Sequence, residues 1–252
     1  MDHPEIAIVT GAGRGLGQAT ALALAENGYR VVVATRSAAS ARAVVSRIEE
    51  AGGEALPLHL DIGDPQSIDS ATTTLLAAVA ARWPGSPLSV LVNNAGIGRF
   101  APLGEVGAAD FDDTFAVNVR GPFLLIQALA PHLARGGRVV NLSSSLSRHV
   151  SPATAVYAAS KAAVEALSRS LALELGRRGI RINTIAPGPT ATDFNGGAMR
   201  DDAELRAGLS QQTALGAVGE PAEIADAIVA LVAPGMRWVT GERLEVSGGV
   251  LL

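Results

Sequence analysis

The 252-residue sequence predicts one α/β domain, a doubly wound parallel sheet of about seven strands with helices on both faces. Three observations predict it. Short runs rich in β-branched residues alternate with longer stretches of helical pattern. Runs such as Ile8-Val9 and Val31-Val32-Val33 are apolar on both faces, as strands of a parallel sheet covered on both sides must be. A glycine-rich turn, Thr10-Gly11-Ala12-Gly13-Arg14-Gly15-Leu16-Gly17, falls where the first strand gives way to the first helix.

The strands are expected at residues 6–10, 31–35, 55–60, 89–92, 138–143, 181–186 and 243–246. Helical stretches begin near Gly15, Ala38, Pro65, Ala109, Ala155 and Pro221. The helix carrying Asn118 is expected to run largely apolar over 111–134. No linker, repeat or low-complexity segment interrupts the pattern, so residues 1–252 read as a single domain. The exception is the stretch from Gly188 to about Gly219, with the pair Gly196-Gly197 and few strand signals. It reads as an irregular excursion, long enough for a substrate lid around 189–216.

Composition excludes several classes of function. Net charge is −4 with no basic block, which argues against nucleic acid as a partner. There is no cysteine, so no disulfide and no thiolate metal site. His3, His59, His132 and His149 are scattered, without the spacing of a metal site. The first strand starts so early that no signal peptide is expected, and no apolar run reaches the ~18 residues of a membrane span. A soluble cytoplasmic protein with no membrane partner is the expectation.

The chemistry concentrates in Tyr157-Ala158-Ala159-Ser160-Lys161. Tyr157 and Lys161 stand at i and i+4, on one helix face. Lys161 is the only lysine in the chain. An ammonium near a phenol is expected to stabilise the phenolate and lower its pKa, giving a general acid/base. Upstream, Ser143, Ser144 and Ser145 close the fifth strand, where open α/β sheets bind ligands. A hydroxyl there can donate to a substrate oxygen, and residue types alone do not choose among the three. The glycine turn has the spacing GxxxGxG, Gly11, Gly15 and Gly17, with Gly13 between. Such a turn lets the backbone approach a pyrophosphate seated at a helix N-terminus. The second strand ends in Thr35-Arg36, where an NAD site carries an acid. Arg36, with Arg14 in the turn, offers guanidinium partners for a 2′-phosphate, so the expected cofactor is NADP(H). The helix from Ala155 is apolar over more than one face, and the chain ends in Val250-Leu251-Leu252; both predict a homo-oligomer.

Taken together, these residues resemble the short-chain dehydrogenase/reductase family over essentially the full length. Besides the glycine turn, the matching residues are Asp61, Asn93-Asn94-Ala95-Gly96, Asn118, Ser144, Tyr157 with Lys161, Pro187-Gly188, Thr240-Gly241 and Ser247-Gly248-Gly249. The resemblance implies a Rossmann-like fold and a homotetramer. It selects Ser144 among the three serines. It implies that Asn118 holds a water linking Lys161 to solvent, and that Lys161 also binds the nicotinamide ribose. It puts Leu16, Asp61, Ile62, Asn94, Ala95, Gly96, Pro187 and Gly188 beside the cofactor. Thr192 matches the residue that touches the nicotinamide carboxamide, with Thr190 as a competitor two positions away. The expected activity is NADPH-dependent reduction of a small-molecule ketone to a secondary alcohol. The alternative is 3-oxoacyl-(acyl-carrier-protein) reduction, in which Arg135 and Arg178 would meet an acidic carrier. A non-catalytic cofactor-binding regulator is a further, weaker reading. The substrate pocket is expected from segments 96–100, 146–152 and 194–199, with Arg99, Arg148 and His149 among apolar residues.

Overall fold

The computed structural model describes residues 4–252; His3 lies outside them. The elements in chain order are β1 (Ile6–Thr10), α1 (Gly15–Glu26), β2 (Arg30–Thr35), α2 (Ala38–Glu50), β3 (Ala55–His59), α3 (Pro65–Arg82), β4 (Leu88–Asn93), α4 (Ala108–Phe115), α5 (Gly121–Leu129), β5 (Arg138–Leu142), α6 (Ala155–Leu175), β6 (Arg181–Pro187), α7 (Ala198–Asp201), α8 (Ala203–Ser210), α9 (Pro221–Val232) and β7 (Arg243–Val246). All seven strands are parallel, in the order β3-β2-β1-β4-β5-β6-β7. The direction of winding reverses between β1 and β4, and a crevice opens there at the carboxyl ends of the strands.

Period-two alternation divides the core between the two faces of the sheet. Ile6 and Ile8 of β1 face one layer with Leu91, Val139, Ile182 and Leu129, beneath α3, α5 and α6. Ala7 and Val9 face the other with Val33, Val92, Leu24 and Ile228, beneath α1, α2 and α9. Helix starts follow local chemistry. Ser37 caps α2 through Ser40 N, Asp64 caps α3 through Gln66 N, and Pro65 and Pro221 occupy the first helical position.

Two stretches differ from the sequence expectation. The helix expected over 111–134 is not uniform: α4 and α5 are joined by a π turn at Ala116–Arg120, and a 3₁₀ turn ends the run at Ala130–His132. Pro122 has no N–H to give the Asn118 carbonyl four residues back, so the α ladder cannot continue through Asn118. The 189–216 excursion is not irregular throughout. It contains α7 and α8, the latter capped by Asp202 through Glu204 N and Leu205 N. Asn195, Gly196 and Gly197 precede them in left-handed conformation. Among the described residues no helix is long and apolar enough to cross a membrane, and no cluster of three metal-ligating side chains occurs.

Candidate active site

A cavity of about 1060 Å³ opens at the switch point and runs from the glycine turn to the 189–216 segment. Its inner half is built to take an extended anionic ligand. Gly11 and Gly15 stand at φ +63° and +54°, which turn the chain sharply off β1. A Cβ at Gly13 would come within 2.5 Å of Ser40 Oγ, and one at Gly17 within 2.4 Å of both Asn94 Nδ2 and Gly11 O. A side chain at Gly13 would collide with Ser40 on the cavity wall, and one at Gly17 would push the turn and Asn94 apart. Helix α1 has no side-chain cap at Arg14 and no acid in its first turn, so its leading amides are left for an anion.

Every residue expected to hold the cofactor borders this cavity: Gly11, Gly13, Arg14, Gly15, Leu16, Gly17, Thr35, Arg36, Asp61, Ile62, Asn94, Ala95, Gly96, Pro187, Gly188, Thr190 and Thr192, with Tyr157 and Lys161 at the inner end. Arg14 and Arg36 are exposed at its rim. Among the described residues, Asp61 and Asp193 are the only carboxylates on its wall. The Asp61 carboxylate accepts from Gly63 N, while the cap of α3 is Asp64. Asn94 staples β4 to the turn, its Nδ2 donating to Thr10 O at 2.9 Å and to Gly11 O at 3.3 Å. Thr190 Oγ1 donates to Gly188 O, whereas Thr192 lies 3.5 Å from the position a Gly15 Cβ would take. Sequence reasoning missed Ser37, Ser40 and Leu60 on the same wall. Ser37 was readable as a helix cap, but nothing local says that the cap faces a ligand.

Ser144, Tyr157 and Lys161 meet on the cavity wall, 8%, 7% and 4% exposed. Lys161 Nζ donates to Leu142 O at 2.7 Å and lies 5.7 Å from the Tyr157 ring centroid. Gly96 leaves room for it, since a Cβ there would sit 3.3 Å from both Lys161 Nζ and Asn118 Oδ1. The expected electrostatics need correction. Burial pushes the Tyr157 phenol up to about 12, opposed only by a hydrogen bond from Ser144. Burial pushes Lys161 down to about 8. Desolvation outweighs the cation because the ammonium is spent on a carbonyl rather than on the phenol oxygen. Near neutral pH the pair is therefore a protonated phenol beside an ammonium.

Asn118 is buried, and its amide is fully used. Oδ1 accepts from Ile97 N at 2.9 Å; Nδ2 donates to Ile97 O at 2.8 Å and to Ser160 Oγ at 3.0 Å. The side chain braces the loop after β4 against α6.

The outer half is largely aromatic and aliphatic, with Asp193 and His149 as its ionisable side chains. Phe100 meets the Tyr157 ring edge-on at 5.4 Å, and Phe194 lies 5.8 Å from Tyr157 and 6.5 Å from Phe100. Gly98 permits this, because a Cβ there would be 2.9 Å from Phe194 Cζ. Of Arg99, Arg148 and His149, polar residues in the segments expected here, Arg99 and Arg148 are not on the wall, and Arg99 reaches Asp110 instead. His149 is on the wall, bound to Glu245 at 3.2 Å. Asp193 is paired with Arg200. The C-terminal residues Val250 and Leu251, part of the apolar tail expected at an interface, also border the cavity.

A family profile described as enoyl-(acyl carrier protein) reductase matches residues 11–251. An uncharacterized oxidoreductase of Methylorubrum extorquens is 41% identical over 247 residues, covering 98% of this chain and 97% of its own. Versicolorin reductase 1 of Aspergillus parasiticus is 36% identical over 260 residues, covering 97% of this chain and 95% of its own. The solved structure of the angucycline C-6 ketoreductase LanV with bound NADP superposes with a TM-score of 0.92 at 36% identity, over 100% of this chain and 99% of that one.

Proposed function

The chain belongs to the short-chain dehydrogenase/reductase family, and from that premise we propose that it is an NADPH-dependent reductase of uncharged, largely apolar ketones. The observation that carries the reading is that Ser144, Tyr157 and Lys161 share one cavity with a glycine turn fit for a pyrophosphate. The solved relative that holds NADP has the same fold over its whole length. When bound, NADPH supplies the hydride, and the protein supplies position and the proton.

The glycine turn and the amides of α1 would hold the pyrophosphate, and Arg14 and Arg36 would take the 2′-phosphate. Ser144 donates to the carbonyl oxygen and steadies its growing charge. Tyr157, protonated well above neutrality, gives its proton to that oxygen. Lys161 favours the resulting phenolate and would bind the ribose. Because the Asn118 amide is spent on Ile97 and Ser160, the water that links Lys161 to solvent falls to its main-chain carbonyl, which Pro122 leaves without an α-helical donor. The 189–216 segment, which brings Phe194 onto Tyr157, is the substrate lid.

Carrier-bound acyl substrates are the weaker reading. Arg178, one of the two arginines that would meet the carrier, has its guanidinium on the Ala130 and Leu133 carbonyls at the end of the α5 run. A panel of free ketones, 2-oxo acids and a 3-oxoacyl carrier thioester tests the reading by NADPH consumption. Cyclic and aryl ketones are expected to turn over and 2-oxo acids not. Faster turnover of the carrier thioester than of every free ketone would overturn it.

The same reading makes the protein a homotetramer. Leu173 on α6, Trp238 and the terminal Leu252 are 84%, 96% and 99% exposed in the single chain, an apolar surface that a second copy would cover. Light scattering at micromolar concentration is expected to give four chains; a monomer there would refute it.

A further inference from the structure

The loop that carries Ser144 rests on a charged cluster beneath the active site. Three donors converge on Glu165 Oε1: Ser143 Oγ at 2.5 Å, Ser147 Oγ at 2.6 Å and Arg243 Nε at 2.7 Å. Arg243 then divides its remaining donors. One guanidinium nitrogen reaches Glu245 Oε2 at 2.8 Å, and the other donates to the Ser144 carbonyl and to Ser147 Oγ, each at 3.2 Å. Glu245 in turn holds His149 at the far end of the loop. The Arg243 and Glu165 side chains are 4% and 8% exposed. The loop is therefore tied at residues 143, 144 and 147 to the Arg243 guanidinium on β7 and the Glu165 carboxylate on α6, and at residue 149 to the Glu245 carboxylate on β7.

We propose that Arg243 and Glu165 are positioning residues for reduction: they fix the Ser144 hydroxyl through its own backbone, and so set its aim at the substrate oxygen. This rests on the reading of Ser144 as the group that holds that oxygen. Stability alone does not account for the cluster. A buried ion pair replaced by apolar side chains of similar size is commonly neutral or stabilising, because two desolvated charges are removed together. Its distinctive property is geometric. A planar guanidinium with Nε and both terminal nitrogens engaged defines both distance and orientation, which an ammonium or an apolar packing cannot. Small errors in aim at a reacting group lower the rate without weakening binding.

The test compares the wild type with Arg243→Met/Glu165→Met, Arg243→Lys and Ser144→Ala. The double variant removes both charges, so neither is left buried alone. It is expected to keep its melting temperature within a few degrees and its NADPH affinity, to lose about tenfold or more in kcat, and to leave the ketone KM unchanged. Arg243→Lys restores the charge but not the fork, and is expected to recover only part of kcat. Wild-type kcat in the double variant would overturn the proposal. So would parallel losses of NADPH binding and melting temperature, which would make the cluster a fold element only. If Ser144→Ala alone left turnover intact, the functional reading itself would fall, and the inference with it.

Discussion

Tyr157→Phe is expected to abolish ketone reduction while leaving NADPH binding intact. The substitution keeps the ring, and with it the contacts to Phe100 and Phe194. Only the hydroxyl is lost. A positioned general acid contributes on the order of a hundred- to ten-thousandfold, so the loss should be at least about a hundredfold. The residual rate decides the matter: more than a tenth of wild-type turnover would remove Tyr157 as the proton donor. Lys161→Ala is expected to damage both rate and NADPH affinity, because the proposed function gives Lys161 a part in both. The pH profile separates the two. With the phenol pushed up to about 12 and the ammonium down to about 8, a rise in pH neutralises Lys161 long before Tyr157 loses its proton. Reduction should therefore weaken as pH rises through about 8, with Lys161 as the group that titrates. A rate that stays flat to pH 10 would contradict this assignment.

The sheet was legible because its determinants are local. Double-sided apolar runs mark strands buried on both faces, and Ser37, Asp64, Pro65 and Pro221 signal helix starts within a residue or two of where they fall. The π turn at Asn118 was not read, although Pro122 was its signal, because the apolar pattern runs through it unbroken. Helix α8 was hidden by the neighbouring glycines, yet Asp202 is an ordinary cap. The residues that the fold gathers around one cavity were legible as a set from the family's spacing. The raised phenol and lowered ammonium were not, because burial is a property of the assembled core and no window of sequence reports it. The cluster beneath Ser144 was out of reach for the same reason. Glu165, Arg243 and Glu245 come from α6 and β7, and only the sheet order puts them under one loop. Of the polar residues in the segments expected to form the substrate pocket, His149 is on its wall, whereas Arg99 and Arg148 are not.

Thr35→Asp combined with Arg36→Ile is expected to reverse the cofactor preference from NADPH to NADH. The argument starts at the end of β2, where an NAD-preferring site has an acid about 20 residues after the glycines to accept from the ribose 2′-hydroxyl. Here that end is Thr35-Arg36, and both residues border the cavity. The nearby hydroxyls of Ser37 and Ser40 line the same wall and carry no charge. Nothing there repels a 2′-phosphate, and the exposed guanidiniums of Arg36 and Arg14 can reach for it from the rim. A hydrogen bond to a charged partner contributes about 1.5–3 kcal/mol, so loss of Arg36 alone should weaken NADPH by roughly ten- to a hundredfold. The introduced Asp adds repulsion of the phosphate and a bond to the free hydroxyl, which separates the cofactors further. Arg14 remains, so residual NADPH activity is expected in the double variant and its loss on adding Arg14→Ala. The measurement is kcat/KM for each cofactor at saturating ketone. An unmodified enzyme that works as well with NADH as with NADPH would show that the two arginines are no more than solvated charge.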